Sequence, residues 1–222
     1  MNLWVVIAAY NEAKVIGETL LGLAPCGFSV VVVDDGSTDG TSAAARGNRA
    51  HVLRHIVNLG QGAALQTGID FALLAGATHI CTFDADGQHA AASIPVLLEA
   101  LQRTGADVAL ASRFLEPSPM PKARRLLLLA ARAFTRIQTD LPLSDAHNGL
   151  RLFTRDAALK LRIQQPRMAH ASELLSLIAK HRLTFVEVAA ITAYTPYSLA
   201  KGQTMTSSIR ILFDLLYAAW SR

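Results

Sequence analysis

The chain is poor in cysteine, in aromatic residues and in charge. Two cysteines, Cys26 and Cys81, stand among 222 residues. Two thiols build no disulfide framework, so the reading is against a disulfide-stapled scaffold and for a reducing compartment. Cys81 lies inside an apolar run and reads as a small buried hydrophobe. Aromatic residues are 6% of the chain, and no nucleic-acid-binding module is recognisable, so nucleic acid is not an expected partner. No apolar run reaches the ~20 residues that span a bilayer. The opening "MNLWVVIAAYNE" has no basic segment before its short apolar run and does not read as a signal peptide. There is no G-x-S-x-G elbow and no H-E-x-x-H or related zinc spacing among the seven histidines. Internal repeats and low-complexity segments are also missing.

What the chain has is apolar bulk. Hydrophobic residues are 51% and charged residues 17%, the balance of a globular protein with a sizeable core. The length suits one large domain. A net charge of +4 and an isoelectric point near 9.3 suit phosphate-bearing ligands or an anionic membrane surface.

Apolar runs of strand length alternate with helical segments. Strands are predicted over 3–10, 28–36, 51–57, 78–86 and 107–114, and helices over 13–24, 39–47, 60–76 and 91–105. Continuous apolar strands separated by helices predict a mostly parallel sheet covered on both faces. In such sheets active groups gather at the carboxyl ends of the strands. The polar clusters Tyr10-Asn11-Glu12, Asp34-Asp35-Gly36-Ser37, Asp84-Ala85-Asp86 and Ser112-Arg113 all fall at such ends. After residue 115 the character changes. "EPSPMPKARRLLLLAARAFTRIQTD" opens with three prolines and becomes a basic, leucine-rich helix carrying Arg124, Arg125, Arg132 and Arg136. "DAHNGLRLFTRDAALK" reads as a loop and a short element, and "ASELLSLIAKHRLTFVEVAA" as helix then strand. The tail reads as an amphipathic helix over 208–220 with Ile209, Leu212, Phe213, Leu216 and Trp220 on one face. Both helices suit an anionic lipid surface. A core-packed helix with a solvated basic face is the plainer reading of the first.

Asp84 and Asp86 are the sharpest chemical signal. In an extended segment, side chains two residues apart share a face. Two like charges aimed at one spot call for a cation, and magnesium or manganese takes one or two carboxylates together with substrate phosphates. Gln88 and His89 follow close behind. The plainer alternative is that both aspartates begin a turn or cap a helix. In "VVVVDDGSTDGT", capping accounts for Ser37 to Asp39, and Gly36 permits a tight turn. A doubled acid at a strand end is better explained if Asp35 receives a ribose or base N–H. Gly60 and Gly62 are not the dinucleotide fingerprint, since Ala63, Ala64 and Leu65 follow. Tight packing and ligand approach both remain open for them. Arg113 ends the fifth strand, where a guanidinium can hold phosphate oxygens bidentately. Arg151 and Lys201 lie in later loops and, taken singly, read as surface charges.

"AAYNE", "DDGSTDGT", "NLGQGAALQTG", "DADGQH", "SRF" and "DAHNGLRLF" occur in this order. As a set they resemble the family-2 glycosyltransferases, and within them the dolichyl- or polyprenyl-phosphate sugar transferases. The resemblance covers roughly residues 3 to 200. It implies a glycosyltransferase A-type, Rossmann-like α/β fold. A catalytic domain would span 1–200, with a nucleotide-binding half at 1–115 and an acceptor half at 116–200, followed by an amphipathic segment at 201–222. It implies nucleotide contacts from Ala8, Tyr10, Asn11, Glu12, Asp35, Gly36, Ser37, Gly62, Asp84 and Ala85. A Mg2+ or Mn2+ site would be formed by Asp84, Asp86 and Gln88. Arg113 would touch phosphate, and Asp145, Asn148, Gly149 and Arg151 would face the acceptor. Tyr197, Lys201 and Gly202 would close over the phosphates.

Relatives often carry proline at Ala8, and serine and phenylalanine at Asn148 and Leu150. The implied reaction is inverting sugar transfer from a nucleotide-diphosphate sugar to a polyprenyl phosphate. It would run at the cytoplasmic face of a membrane, reached by the amphipathic helices or a membrane partner. Asp86, Arg113, Asp145, Arg151 and Lys201 would carry the chemistry, Asp145 as general base were the acceptor a hydroxyl. The rivals are a hydroxyl-acceptor transferase, a D-x-D phosphatase and a non-catalytic membrane-recruited protein. A phosphatase would want its acids on the first strand.

Overall fold

A computed structural model describes residues 1–116, 122–146 and 148–190. The predicted tail helix and the candidates Tyr197, Lys201 and Gly202 lie outside the described residues.

The strands are β1 (Leu3–Ala9), β2 (Ser29–Asp34), β3 (His51–Arg54), β4 (His79–Thr82), β5 (Val108–Ser112), β6 (Arg151–Thr154) and β7 (Phe185–Ala189). The helices are α1 (Ile16–Leu23), α2 (Thr41–Arg46), α3 (Gln61–Leu74), α4 (Ser93–Thr104), α5 (Lys122–Thr139), α6 (Arg155–Lys160) and α7 (His170–Lys180). Local chemistry sets several boundaries. Pro95 sits in the first turn of α4, where its missing N–H costs nothing, and Gly105 closes that helix with φ of 67°. Thr154 caps α6 by accepting a hydrogen bond from the Ala157 amide.

The strands form one sheet in the order β3-β2-β1-β4-β6-β5-β7. All neighbours are parallel except β6, which runs antiparallel between β4 and β5. The sheet buries both faces. Trp4, Val6, Val31, Val33, Leu110 and Phe153 pack with α3, α6 and α7 on one side. Val5, Ile7, Val32, Cys81, Ala109 and Leu152 pack with α1 and α4 on the other. That is the period of two expected when alternate side chains leave opposite faces. Ile7, Ile80, Leu152 and Phe153 are fully buried, each contributing roughly 1.5–3 kcal/mol relative to exposure.

Two consequences position the site. The chain runs from β1 outward to β3 and then returns to lay β4 on the other side of β1. The order therefore reverses between β1 and β4, and crevices form beyond the carboxyl ends of strands at such a point. In addition, β6 starts at the edge where the parallel strands end. The antiparallel strand thus delivers Arg151 and the loop before it to the same rim. The sequence did not signal that reversal, because "RLFT" is short and sits inside a polar stretch.

Candidate active site

The loops after β1 and β2 are knitted together. Asn11, with φ of 54°, donates its amide to Ser37 Oγ at 2.9 Å and accepts the Thr38 amide at 2.9 Å. The Glu12 amide reaches Thr41 Oγ1 at 2.8 Å, and the Ala13 amide reaches Asp39 Oδ2 at 3.1 Å. Asp39 also accepts from the Thr41 amide at 3.0 Å, the capping role expected of it. Tyr10 stays 42% exposed above this lattice.

The doubled acid divides its labour. Asp34 is wholly buried and accepts from the Ser37 amide at 2.8 Å and from the Ser42 hydroxyl. Burial opposes its charge, but the hydrogen bonds from Ser37 and Ser42 outweigh it and hold the carboxyl below the usual range. Asp35 is 2% exposed. Its Oδ1 meets His55 Nδ1 at 2.7 Å and the Leu59 amide at 2.9 Å, and its Oδ2 takes the Gly60 amide at 2.7 Å. It locks the turn between β3 and α3 onto the end of β2. Gly36, with φ of 71°, lies against the backbone of Val57 and Asn58 in the same turn.

Four of the candidate nucleotide residues make contacts within the protein itself. A Cβ at Gly62 would overlap the carbonyl oxygen of Gln165 and sit 2.8 Å from His170 Cβ. The chain's own 164–167 loop fills that space, so of the two readings left open for this turn, tight packing is the one seen. Ala85 is buried in the core and its carbonyl accepts from Thr19 Oγ1 at 2.9 Å. Ser37 is buried and occupied by the loop lattice. Ala8 is half-buried against the core.

Strand β4 stops at Thr82, so Asp84 and Asp86 sit on a turn and not in an extended segment. Extended geometry therefore does not put them on one face, yet the charge of Asp84 still bears on Asp86. Asp86 is raised above the ordinary carboxylate value by burial and by the charge of Asp84, against hydrogen bonds from Gln88. Asp84 is held low: burial opposes its charge, and His89, Arg151 and His170 more than offset the cost. His89 Nε2 meets Asp84 Oδ2 at 2.8 Å. Gln61 Nε2 approaches Oδ1 at 3.5 Å, so Gly60-Gln61 spans from Asp35 to Asp84. A Cβ at Gly149 would overlap both Asp84 oxygens, and Thr82 Oγ1 donates to the Gly149 carbonyl at 2.8 Å. Gln88 donates its amide nitrogen to the Asp86 carboxylate, so it holds one of the two acids in place.

This donor set fits a hard divalent cation. Asp84 is close enough for its charge to raise Asp86, which a cation between them would relieve. No group of three or more His, Cys, Asp or Glu suited to a metal occurs among the described residues. The described residues offer two carboxylates, and magnesium sites commonly fill their other positions with water or phosphate.

Arginines occupy the far side. Arg113, 7% exposed, forks onto Asp145 with Nε to Oδ2 at 2.6 Å and Nη2 to Oδ1 at 2.7 Å. The Asp145 side chain is 0% exposed. So enclosed and so paired, Asp145 orients Arg113, and the general-base role considered for it would require that pair to open. Arg151 is 4% exposed. Burial lowers its pKa to about 10, with Arg113 adding to the effect and Asp84 and Asp145 opposing it, so it is charged at neutral pH. It makes no ion pair within 4.0 Å among the described residues. Asn148 holds the Leu150 amide with Oδ1 at 3.0 Å, while its buried Nδ2 has no partner among the described residues. Next to these, Arg132, Ala133 and Arg136 of α5 and Pro142, Leu143 and Ser144 line a cavity of about 350 Å³.

His89, which follows the acidic pair in the sequence, joins this network. His55, Gln61, His170 and Glu187 take part without having been candidates. Gln61 lies within a quoted motif, and the others have no local pattern and meet the site only through folding.

Residues 4–162 match the family model described as glycosyl transferase family 2. A UDP-N-acetylglucosamine–dolichyl-phosphate N-acetylglucosaminyltransferase from Methanococcus voltae is 29% identical over 96% of this chain and 94% of its own length. An undecaprenyl-phosphate mannosyltransferase from Micrococcus luteus is 33% identical over 70% of this chain and 68% of its own. The fold matches that of glucosyl-3-phosphoglycerate synthase from Mycobacterium tuberculosis, solved with Mn2+, uridine diphosphate and glucosyl-3-phosphoglycerate. Its TM-score is 0.74 at 18% identity, covering 98% of this chain and 79% of that one.

Proposed function

The chain belongs to glycosyl transferase family 2, and from that premise we propose that it transfers a sugar, with inversion, from a nucleotide-diphosphate donor to a polyprenyl phosphate. The relatives named for dolichyl and undecaprenyl phosphate support the acceptor class. The observation that carries the reading is the pair Asp84 and Asp86 beyond β4 at the β1/β4 reversal, the charge of the first raising the second, opposite the buried guanidinium of Arg151.

Asp84 and Asp86 would hold a divalent ion. When bound, such an ion neutralises charge that develops on a departing diphosphate. The chain's own residues do the rest. Tyr10, Asn11 and Glu12 border the nucleotide side, and Asp35 fixes the turn that closes it. Arg151, charged and without an ion partner within 4.0 Å among the described residues, meets phosphate oxygens. Arg113, oriented by Asp145, supplies a second cation. A phosphate acceptor is largely ionised near neutral pH, with a second pKa of ~6 by analogy with phosphorylated side chains. It needs orientation more than a base. The enclosure of Asp145 by Arg113 favours this acceptor over a hydroxyl, which would need a base.

No described helix is long and apolar enough to cross a membrane. Contact with the lipid acceptor is assigned to the amphipathic α5, whose exposed Leu126 and Ile137 suit a peripheral place at a membrane face.

The test is a panel of nucleotide sugars with Mg2+ or Mn2+, scored by thermal shift and by radiolabel moved into an organic phase with prenyl phosphate. Transfer to prenyl phosphate and not to diacylglycerol or free sugars is the expected outcome. Label moving only to hydroxyl acceptors would overturn the reading.

A further inference from the structure

Glu187 is a residue the sheet does not call for. It stands mid-way along β7, opposite Leu110 of β5. Its neighbours Val186 and Val188 pack into one core face, and Phe185 packs into the other. Glutamate is a poor strand former, and a half-buried carboxylate costs free energy unless donors surround it. Three donors converge on this one. The Ser144 amide lies 2.9 Å from both oxygens, Ser144 Oγ lies 2.8 Å from Oε1, and the Asp145 amide lies 3.3 Å from Oε1. Ser144 Oγ also meets Ser112 Oγ at 2.6 Å, at the tip of β5. The next residue on each side is the pair that matters. Asp145 accepts from the Arg113 amide at 3.1 Å and from its guanidinium at 2.6 and 2.7 Å.

We propose that Glu187 is a positioning residue for sugar transfer: by anchoring Ser144 and the Asp145 backbone, it fixes the carboxylate that aims Arg113. The described residues 140–146 and 148–150 are otherwise irregular, and a guanidinium is useful to a phosphate only if its fork is held. Glu187 touches no reacting atom. It acts through two residues, from the edge strand of the sheet. The inference rests on the reading of Arg113 as a phosphate contact.

A double-mutant cycle tests it, on the full chain, with prenyl phosphate as acceptor and label transfer as readout. Glu187→Gln keeps the shape but turns an amide N–H toward the three donors. It is expected to lower kcat/KM about tenfold with the melting temperature moved by only a few degrees. In an Arg113→Ala background, the same substitution is expected to change kcat/KM by less than about twofold, because the group it orients is gone. If Glu187→Gln melts too low to assay, Ser144→Ala, which removes the hydroxyl link alone, is read in the same cycle. Multiplicative effects of the two substitutions would overturn the relay while leaving Arg113 in its role. Wild-type transfer by Arg113→Ala alone would overturn the role of Arg113, and the relay with it.

Discussion

Gly149 has no side chain, and the carboxylate of Asp84 lies where one would be. The acid proposed to hold the metal is thus seated against bare backbone, braced by His89 on one oxygen and faced by Arg151 beyond ion-pair distance. Gly149→Ala is expected to push that carboxylate aside. Nucleotide affinity in Mn2+ should fall about tenfold or more, as for a lost ligand or its support, while affinity in EDTA stays at the wild-type value. A titration with and without metal checks it. Asp86→Ala is expected to lower transfer by roughly 10²–10³, the scale of a lost electrostatic group, with nucleotide binding in EDTA unchanged. At this scale Arg151, taken singly, read as a surface charge and is 4% exposed, whereas the acids and Arg113 were legible as strand-end residues from type and position. The orientation of Gln88 and the enclosure of Asp145 were not, because each depends on a partner that the fold supplies from a distance or from a turn.

Among elements, the turn at Gly60–Gly62 shows how a sequence pattern can point two ways. Glycines at a strand-to-helix turn suit a phosphate cradle, and they equally suit close packing. Here the 164–167 loop takes the space, and its Pro166 carbonyl accepts the Ala63 amide at 3.1 Å. Gly62→Ala is expected to cost about 1–3 kcal/mol by overpacking. A lower urea midpoint with an unchanged slope would register it, and an unaltered midpoint would show that the loop yields freely. The five parallel-type strands of the first half were readable because each is a continuous apolar run with a helix after it. Strand β6 escaped, since four residues flanked by polar loops carry too short a pattern to show direction. That one antiparallel strand is what brings Arg151 to the rim.

At the scale of the whole molecule, His170 ties stability to pH. It is buried at the start of α7, with Nδ1 at 2.8 Å from the Arg167 carbonyl. Burial, and then the charge of Arg151, lower its pKa to about 4, against the Arg167 hydrogen bond and Asp84. The unfolded chain binds this proton near pH 6.5. Between those values the unfolded state holds more protons than the native one, so stability rises with pH there. The contribution is full above about 6.5 and is lost as pH falls toward 4, a difference of about 3 kcal/mol. Melting temperatures of the wild type should climb from pH 4 to 6.5 more steeply than those of His170→Gln. Parallel curves would contradict it. The packing of α7 against the site is a property of the complete sheet, which explains why no local motif announced His170.

The claim on which the account turns is that Asp84 and Asp86 join a divalent ion to a nucleoside diphosphate. Its most direct measure is Mn2+ electron paramagnetic resonance of the full chain, titrated with uridine diphosphate and repeated with Asp86→Asn. The account predicts that the wild type takes up one Mn2+ per chain together with the nucleotide, and that the variant loses at least tenfold in Mn2+ affinity, the scale of a lost metal partner. Equal Mn2+ uptake by the two proteins would contradict it.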